Sequence, residues 1–189
     1  MRNGGRNSFQ EEGWILEPFL DTSLADAFDC GDADLNDFFR TDLIHHENQL
    51  LTKTYSFTPV EARVTAGFAP VALVSFCNDA IRLKNIEDKI ELPERKRYPS
   101  LPAVKIARLG VDKAYQCQDI GTALINIVKR LFLSENRTGC RILTVDAYND
   151  GRVTRFYEKS YFSFVTVKDA QKQTRAMFYD LKRSLDGQS

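Results

Sequence analysis

Residues 107–132 read ARLGVDKAYQCQDIGTALINIVKRLF. An apolar segment ending at Val111 has the character of a strand. After the polar turn, Ile120, Ala123, Leu124, Ile127, Val128, Leu131 and Phe132 keep helical spacing over three turns. A strand that passes through a turn into a helix aims several unpaired backbone N–H groups, and the positive end of the helix dipole, at one point. That is the general anatomy of an anion site. A plainer account of the same residues is that Asp119 or Gln118 caps the helix and nothing binds, since Asp is among the best N-cap residues.

Working outward, WILEPF from Trp14 reads as a short strand. Gly31 and Asp32 precede Leu35, Phe38, Phe39 and Leu43, which predicts a capped amphipathic helix. KTYSFTPV and PVALVSFCN are rich in β-branched and aromatic residues and predict a hairpin turned through Gly67. Residues 79–102 carry dense charge with Pro93, Pro99 and Pro102, and read as a surface excursion with one short helix. AVKIARLGV is a strand, RILTVDAY another, GRVTRFYEKS a short helix, and FSFVTVK and RAMFYDLK two closing strands around the polar turn DAQKQT.

The chain has 189 residues, enough for one domain with its own core; residues 1–12 read as a flexible leader, 13–183 as the domain and 184–189 as a tail. Lys plus Arg equals Asp plus Glu at 26 each, so no global positive field draws the protein to nucleic acid or to an anionic membrane. No apolar run is long enough for a signal peptide or membrane span, which predicts a cytoplasmic protein without a membrane partner. Cys30, Cys77, Cys117 and Cys140 are scattered with no C-x-x-C pair, and the neighbours His45 and His46 point about 100° apart on a helix. No metal site is expected.

Further along, TVDAYNDGRVTRFYEKSYFSF places a strand end, Asn149, a short helix and the pair Phe156, Tyr157 in order. With RLGVD before the turn, these segments resemble the GNAT superfamily of N-acetyltransferases, from about Trp14 to Leu181. In that superfamily the turn runs Gln or Arg, two residues, Gly, one residue, Gly or Ala. Here it is Gln116, Cys117, Gln118, Asp119, Ile120, Gly121. The downstream helix typically reads FYEKxGF, and here it is FYEKSYF, Phe156 to Phe162. FDCGDADLNDFF and RYPSLPAVKIARLGVD are similar to a subset that includes toxins of toxin–antitoxin pairs, which acetylate the amino group of aminoacylated transfer RNA. The neutral overall charge argues mildly against so large an anionic partner.

The resemblance implies an α/β (α+β) acyl-CoA N-acyltransferase fold: a central mixed, mostly antiparallel sheet, splayed at a strand end and flanked by helices. It implies transfer of an acetyl group from acetyl-CoA to a primary amine. The pyrophosphate would rest on backbone N–H groups of Gln116, Cys117, Gln118, Asp119, Ile120, Gly121 and Thr122. The pantetheine arm would pair with Leu109, Gly110 and Val111, Gly110 permitting a bulge. Asn149 and Phe156 would adjoin the cofactor, and Tyr157 would give its proton to the departing thiolate. Without the family, an aromatic on the inner face of a short helix reads as core. The base is left open; Asp112 is the nearest carboxylate by sequence, although Asp at such a junction is commonly a turn residue. A toxin-type protein would add transfer RNA or an antitoxin as partner, and a homodimer is compatible with either reading.

Three residues depart from the family. Cys117 and Asp119 replace glycines of the cradle, where they are tolerable if their φ values stay negative. Tyr161 stands where a turn glycine is usual, so its backbone must avoid positive φ or accept strain. Asp119 is expected to cap the helix and to repel the phosphates, stabilising the empty protein and weakening the loaded one. A non-catalytic descendant that keeps the fold and binds a partner is the rival from another class.

Overall fold

The computed structural model describes residues 8–64, 67–92, 98–134, 136 and 138–185. The strands are β1 (Phe9–Glu11), β2 (Trp14–Pro18), β3 (Lys53–Pro59), β4 (Ala72–Arg82), β5 (Ser100–Val111), β6 (Ile142–Tyr148), β7 (Ser163–Phe164) and β8 (Thr174–Asp180). The helices are α1 (Ala33–Asp37), α2 (Leu43–Asn48), α3 (Ile120–Ser134), α4 (Gly151–Lys159) and α5 (Lys182–Leu185), with a π turn, Phe38–Asp42, joining α1 to α2. The strands form an eight-stranded sheet in the order β1-β2-β3-β4-β5-β6-β8-β7, flanked by helices. β5 and β6 run parallel, whereas β1–β2, β2–β3, β3–β4, β6–β8 and β7–β8 are antiparallel. The sheet is mixed and mostly antiparallel, as expected.

By contacts the chain forms two compact units: residues up to Cys77 with Ala107–Val128, and Asn78–Ile106 with residues from Lys129 on. In the first, Phe19, Ala25, Phe28, Cys30, Phe38, Phe39, Leu43 and Leu73 make a buried cluster. Phe39 packs edge-on to both Phe28 and Phe38. The predicted cap is present: the Asp32 carboxylate accepts the Leu35 N–H at 3.0 Å, satisfying one of the orphan donors of α1. In the second unit Ile81, Ile86, Ala103, Ile142 and Phe178 are buried together. There the β5–β6 ladder runs from Ala103↔Ile142 to Ile106↔Val145.

Some element limits move. Phe9–Glu11 pair with β2, so part of the expected leader is a strand; residues 1–7 lie outside the described residues. Residues 79–82 continue β4 and 100–102 begin β5, so the charged excursion is shorter than the prolines suggest. Pro102 sits inside β5, where its carbonyl accepts the Arg141 N–H at 3.1 Å; only its missing N–H is lost to a ladder. FSFVTVK yields a two-residue strand, and the start of the expected tail is the short helix α5. No described helix is long and apolar enough to cross a membrane.

Candidate active site

The turn between β5 and α3 is braced from below by the segment before α1. The Asp112 carboxylate accepts the Ala114 N–H at 2.9 Å and the Asp29 N–H at 3.0 Å. Both its oxygens are thereby engaged, and Asp112 serves as a turn clamp. Asp29 answers with an ion pair to Lys113 at 2.8 Å, and accepts the Gly31 N–H and the Asn36 side-chain N–H. Led by the Lys113 hydrogen bond, these donors hold Asp29 down at about 2. The Gln116 amide donates to the carbonyls of Cys30 (2.8 Å) and Val111 (2.9 Å) and so ties the turn to both neighbours.

Gly110 has a packing reason. It lies within the continuous β5, and a Cβ there would stand 3.0 Å from the Cys30 Cβ and 3.2 Å from the Phe28 ring. The stretch FDCGDADLNDFF is therefore the brace of the turn. Sequence reading matched it to a family subset without finding this purpose; the alternating Asp and Asn residues, all short hydrogen-bonding side chains, were the available signal.

The backbone of the turn corrects a central expectation. Cys117 has φ 61° and Asp119 φ 57°, both left-handed, with Gln118 between them outside that region. At both positions the chain takes the backbone conformation that favours glycine without carrying the residue. Alternation of this kind turns successive N–H groups toward one concave side. The first α3 bond runs from the Ala123 N–H to the Asp119 carbonyl at 3.0 Å, so the N–H groups of Ile120, Gly121 and Thr122 precede the helical ladder. Asp119 occupies the N-cap position through its carbonyl alone: among the described residues its exposed carboxylate accepts no hydrogen bond, contrary to expectation. Cys117 and Gln118 are likewise exposed, and the Gln118 amide donates back to the Ala114 carbonyl.

In the second unit, the Asp150 carboxylate caps α4 by accepting the N–H groups of Arg152 and Val153. Preceding it, Asn149 donates its side-chain N–H groups to the carbonyls of Ala170 and Lys172, both at 2.9 Å. That amide secures a loop, a role the sequence did not suggest. Phe156 is half-buried and Tyr157 is 5% exposed. The Tyr157 ring lies between Phe156 (4.9 Å) and Phe162 (5.4 Å), and burial alone pushes its phenol above the ordinary range. It stays neutral, as an acid must, while its packing is that of a core residue.

The end of α4 explains Tyr161. The Tyr161 N–H donates to the Glu158 carbonyl and the Phe162 N–H to the Tyr157 carbonyl, each at 2.9 Å. This is the Schellman pattern, and it puts Tyr161 at the C′ position with φ 62°. The alternative of strain is the one realised. Leu50 repeats the arrangement after α2: its N–H reaches the Glu47 carbonyl, the Leu51 N–H reaches the His46 carbonyl, and its φ is 57°.

The family model described as "Acetyltransferase (GNAT) family" matches residues 80–162. No curated protein matches the sequence significantly. Among solved structures, AtaTR bound with AcCoA is similar at 21% identity, covering 93% of this chain and 98% of that one with a TM-score of 0.67. A tyrosine-to-phenylalanine mutant of KacT is similar at 20% identity over 93% of this chain and 99% of its own, with a TM-score of 0.72. AtaT complexed with acetyl-methionyl-tRNAfMet is similar at 20% identity over 92% and 97%, with a TM-score of 0.68. Such identities speak for a common fold. Residues 80–162 thus match the GNAT acetyltransferase family model, and the chain as a whole adopts the GNAT fold.

Proposed function

We propose that the protein transfers the acetyl group of acetyl-CoA to a primary amine, with Tyr157 as the general acid. The observation that carries this reading is the left-handed backbone at Cys117 and Asp119. Each such residue costs about 1–2 kcal/mol, and the neighbouring hydrogen bonds over-determine the turn. Strain of this kind is kept where geometry is used. A chain that needed only a helix start would place Asp119 in extended backbone and cap with its side chain.

In the proposed reaction the orphan N–H groups of Ile120, Gly121 and Thr122, with those of the turn, receive the pyrophosphate. The backbone of Leu109 to Val111 aligns the thioester arm. A neutral amine attacks the thioester carbon; the C–N bond forms, the oxyanion is met by a strand N–H, and the C–S bond breaks. The thiolate takes the Tyr157 proton, and the product nitrogen loses its extra proton to a base. With both oxygens engaged, Asp112 is not the residue we assign to that last step.

Titration calorimetry with acetyl-CoA tests the reading. Saturable binding supports it, whereas no heat at millimolar ligand overturns it in favour of a fold-only binding protein.

A finer reading makes the acceptor the amino group of aminoacylated transfer RNA, with an antitoxin protein or a second copy of the chain as partner. Its support is the likeness, over most of both chains, to AtaT complexed with acetyl-methionyl-tRNAfMet and to AtaT bound to its antitoxin AtaR. Arg95, Lys96 and Arg97, which the sequence offers as a basic face, lie outside the described residues. Activity on charged transfer RNA that falls steeply between low and moderate salt supports this acceptor. Activity on small amines with a shallow salt slope excludes it.

A further inference from the structure

Lys129 is 5% exposed, although lysine is seldom fully buried without a partner. It stands on α3 four residues after the buried Ile125 and so shares that residue's face of the helix. Among the described residues no carboxylate pairs with it. Its Nζ donates to the Ser160 carbonyl at 2.9 Å and lies 3.9 Å from the centroid of the Tyr179 ring and 5.5 Å from that of Tyr161. An unpaired buried ammonium is costly, and a methionine or leucine would fill the same volume. A requirement other than packing keeps the charge there.

The partner it has chosen identifies the requirement. Ser160 is the C-cap of α4, so its carbonyl belongs to the negative end of that helix, where an ammonium is favoured. The same turn contains the Tyr157 carbonyl, which receives the Phe162 N–H, and the Tyr157 and Phe162 rings pack on each other. The ring of Tyr161, a residue with left-handed backbone, also lies near the ammonium, its centroid 5.5 Å away. Ser160 itself is 3% exposed and its Oγ has no partner, so the hydroxyl contributes nothing to holding the turn. The Lys129 hydrogen bond holds the Ser160 carbonyl in its place.

We propose that Lys129 is a positioning residue: by holding Ser160 it fixes the last turn of α4 and, through that turn, the orientation of the Tyr157 phenol. The inference rests on the general-acid role of Tyr157 argued above. Its test is built so that the two can fail separately.

The test compares K129M, Y157F and the double variant, using amide hydrogen exchange on the free protein and steady-state turnover of acetyl-CoA with an accepted amine. In K129M, exchange at Ser160, Tyr161 and Phe162 should accelerate by about 10-fold or more as the last turn opens. Its kcat should fall by about 10-fold with KM for acetyl-CoA changed less than about twofold, the mark of an effect confined to the chemical step. In the Y157F background the same substitution should cost less than about twofold, because residues that act through one another are not additive. K129Q, which loses the charge but keeps an N–H donor for Ser160, should stay within about threefold of the wild-type kcat. It also serves should K129M not fold.

Equal losses in both backgrounds, or a K129Q as impaired as K129M, would overturn the proposal. If Y157F turns over normally, the general-acid reading falls and the catalytic half of this inference with it. Unchanged exchange in K129M instead refutes the anchor while leaving the role of Tyr157 intact.

Discussion

The Phe162 N–H donates to the Tyr157 carbonyl at 2.9 Å while the two rings pack 5.4 Å apart, so the residue assigned as acid is also the C3 position of a Schellman turn. Its backbone and ring are structural; only its hydroxyl is left for chemistry. Y157F should therefore separate the two roles. We expect kcat to fall by about 10²-fold with acetyl-CoA affinity little altered. No described residue is hydrogen-bonded to the hydroxyl, so thermal unfolding should be unchanged or slightly later. Normal turnover would leave Tyr157 as core alone.

Leu50 offers the cleanest measure of left-handed strain, since its side chain is 91% exposed and its φ is 57°. Leu50→Gly relieves about 1–2 kcal/mol of strain against about 0.5–1 kcal/mol of added unfolded-chain entropy. A net gain of up to about 1.5 kcal/mol in urea unfolding, about 0.75 at mid-range, follows from these two magnitudes. Cys117→Gly should behave alike, because that thiol is also exposed. A loss of stability in both would mean that these conformations are not strained.

Asp119→Gly now carries a revised sign for stability. The carboxylate caps nothing, and the backbone is left-handed, so removing the side chain should stabilise the free protein by a similar few tenths to about 1 kcal/mol. The expectation for ligand stands: removing a carboxylate beside the orphan N–H groups should tighten acetyl-CoA binding by roughly 1 kcal/mol at low salt, and less at high salt. Paired calorimetric titrations at the two salt concentrations measure it. Equal affinity at low salt would place the carboxylate outside the field of the phosphates.

Burial, with a smaller push from Arg183, lowers Lys129 from 10.5 to about 8. The unfolded chain keeps this proton to higher pH than the fold does, so between about pH 8 and 10.5 the unfolded state binds more protons. The contribution of Lys129 to stability must then rise with pH across that window, the reverse of a lysine held by an acid. Urea unfolding at pH 7 and pH 9.5 should show the wild type gaining on K129M. A constant difference would mean that the fold retains the ammonium.

What the sequence made legible was periodicity. α3 stands where its apolar spacing put it, and β2, β3, β6 and β8 coincide with β-branched and aromatic runs because burial on a sheet selects such residues. β7 is shorter than its composition suggests: the Val165 N–H still reaches the Ala176 carbonyl at 2.9 Å, but Val167 is 82% exposed and the strand has ended before it. Composition failed for Cys117, Asp119 and Tyr161 for a different reason. Their conformations come from hydrogen bonds made by neighbours, which residue type alone does not reveal. Lys129 was hidden by its own chemistry, since a lysine on a helix is normally solvated. Its place four residues after Ile125 was the one clue.

Among the non-glycine residues with left-handed backbone, Leu50, Cys117, Asp119 and Tyr161 have a consequence for how this sequence can change. Most substitutions in a protein destabilise it, and a chain survives them if a later change elsewhere restores what was lost. At Leu50 and Cys117 the restoring change is a glycine that disturbs no packed neighbour. Such positions supply compensating mutations that are independent of where the damage arose. They also mean that a pattern demanding glycine at these places would pass over a chain whose backbone takes the same path, because here the angle is held without that residue.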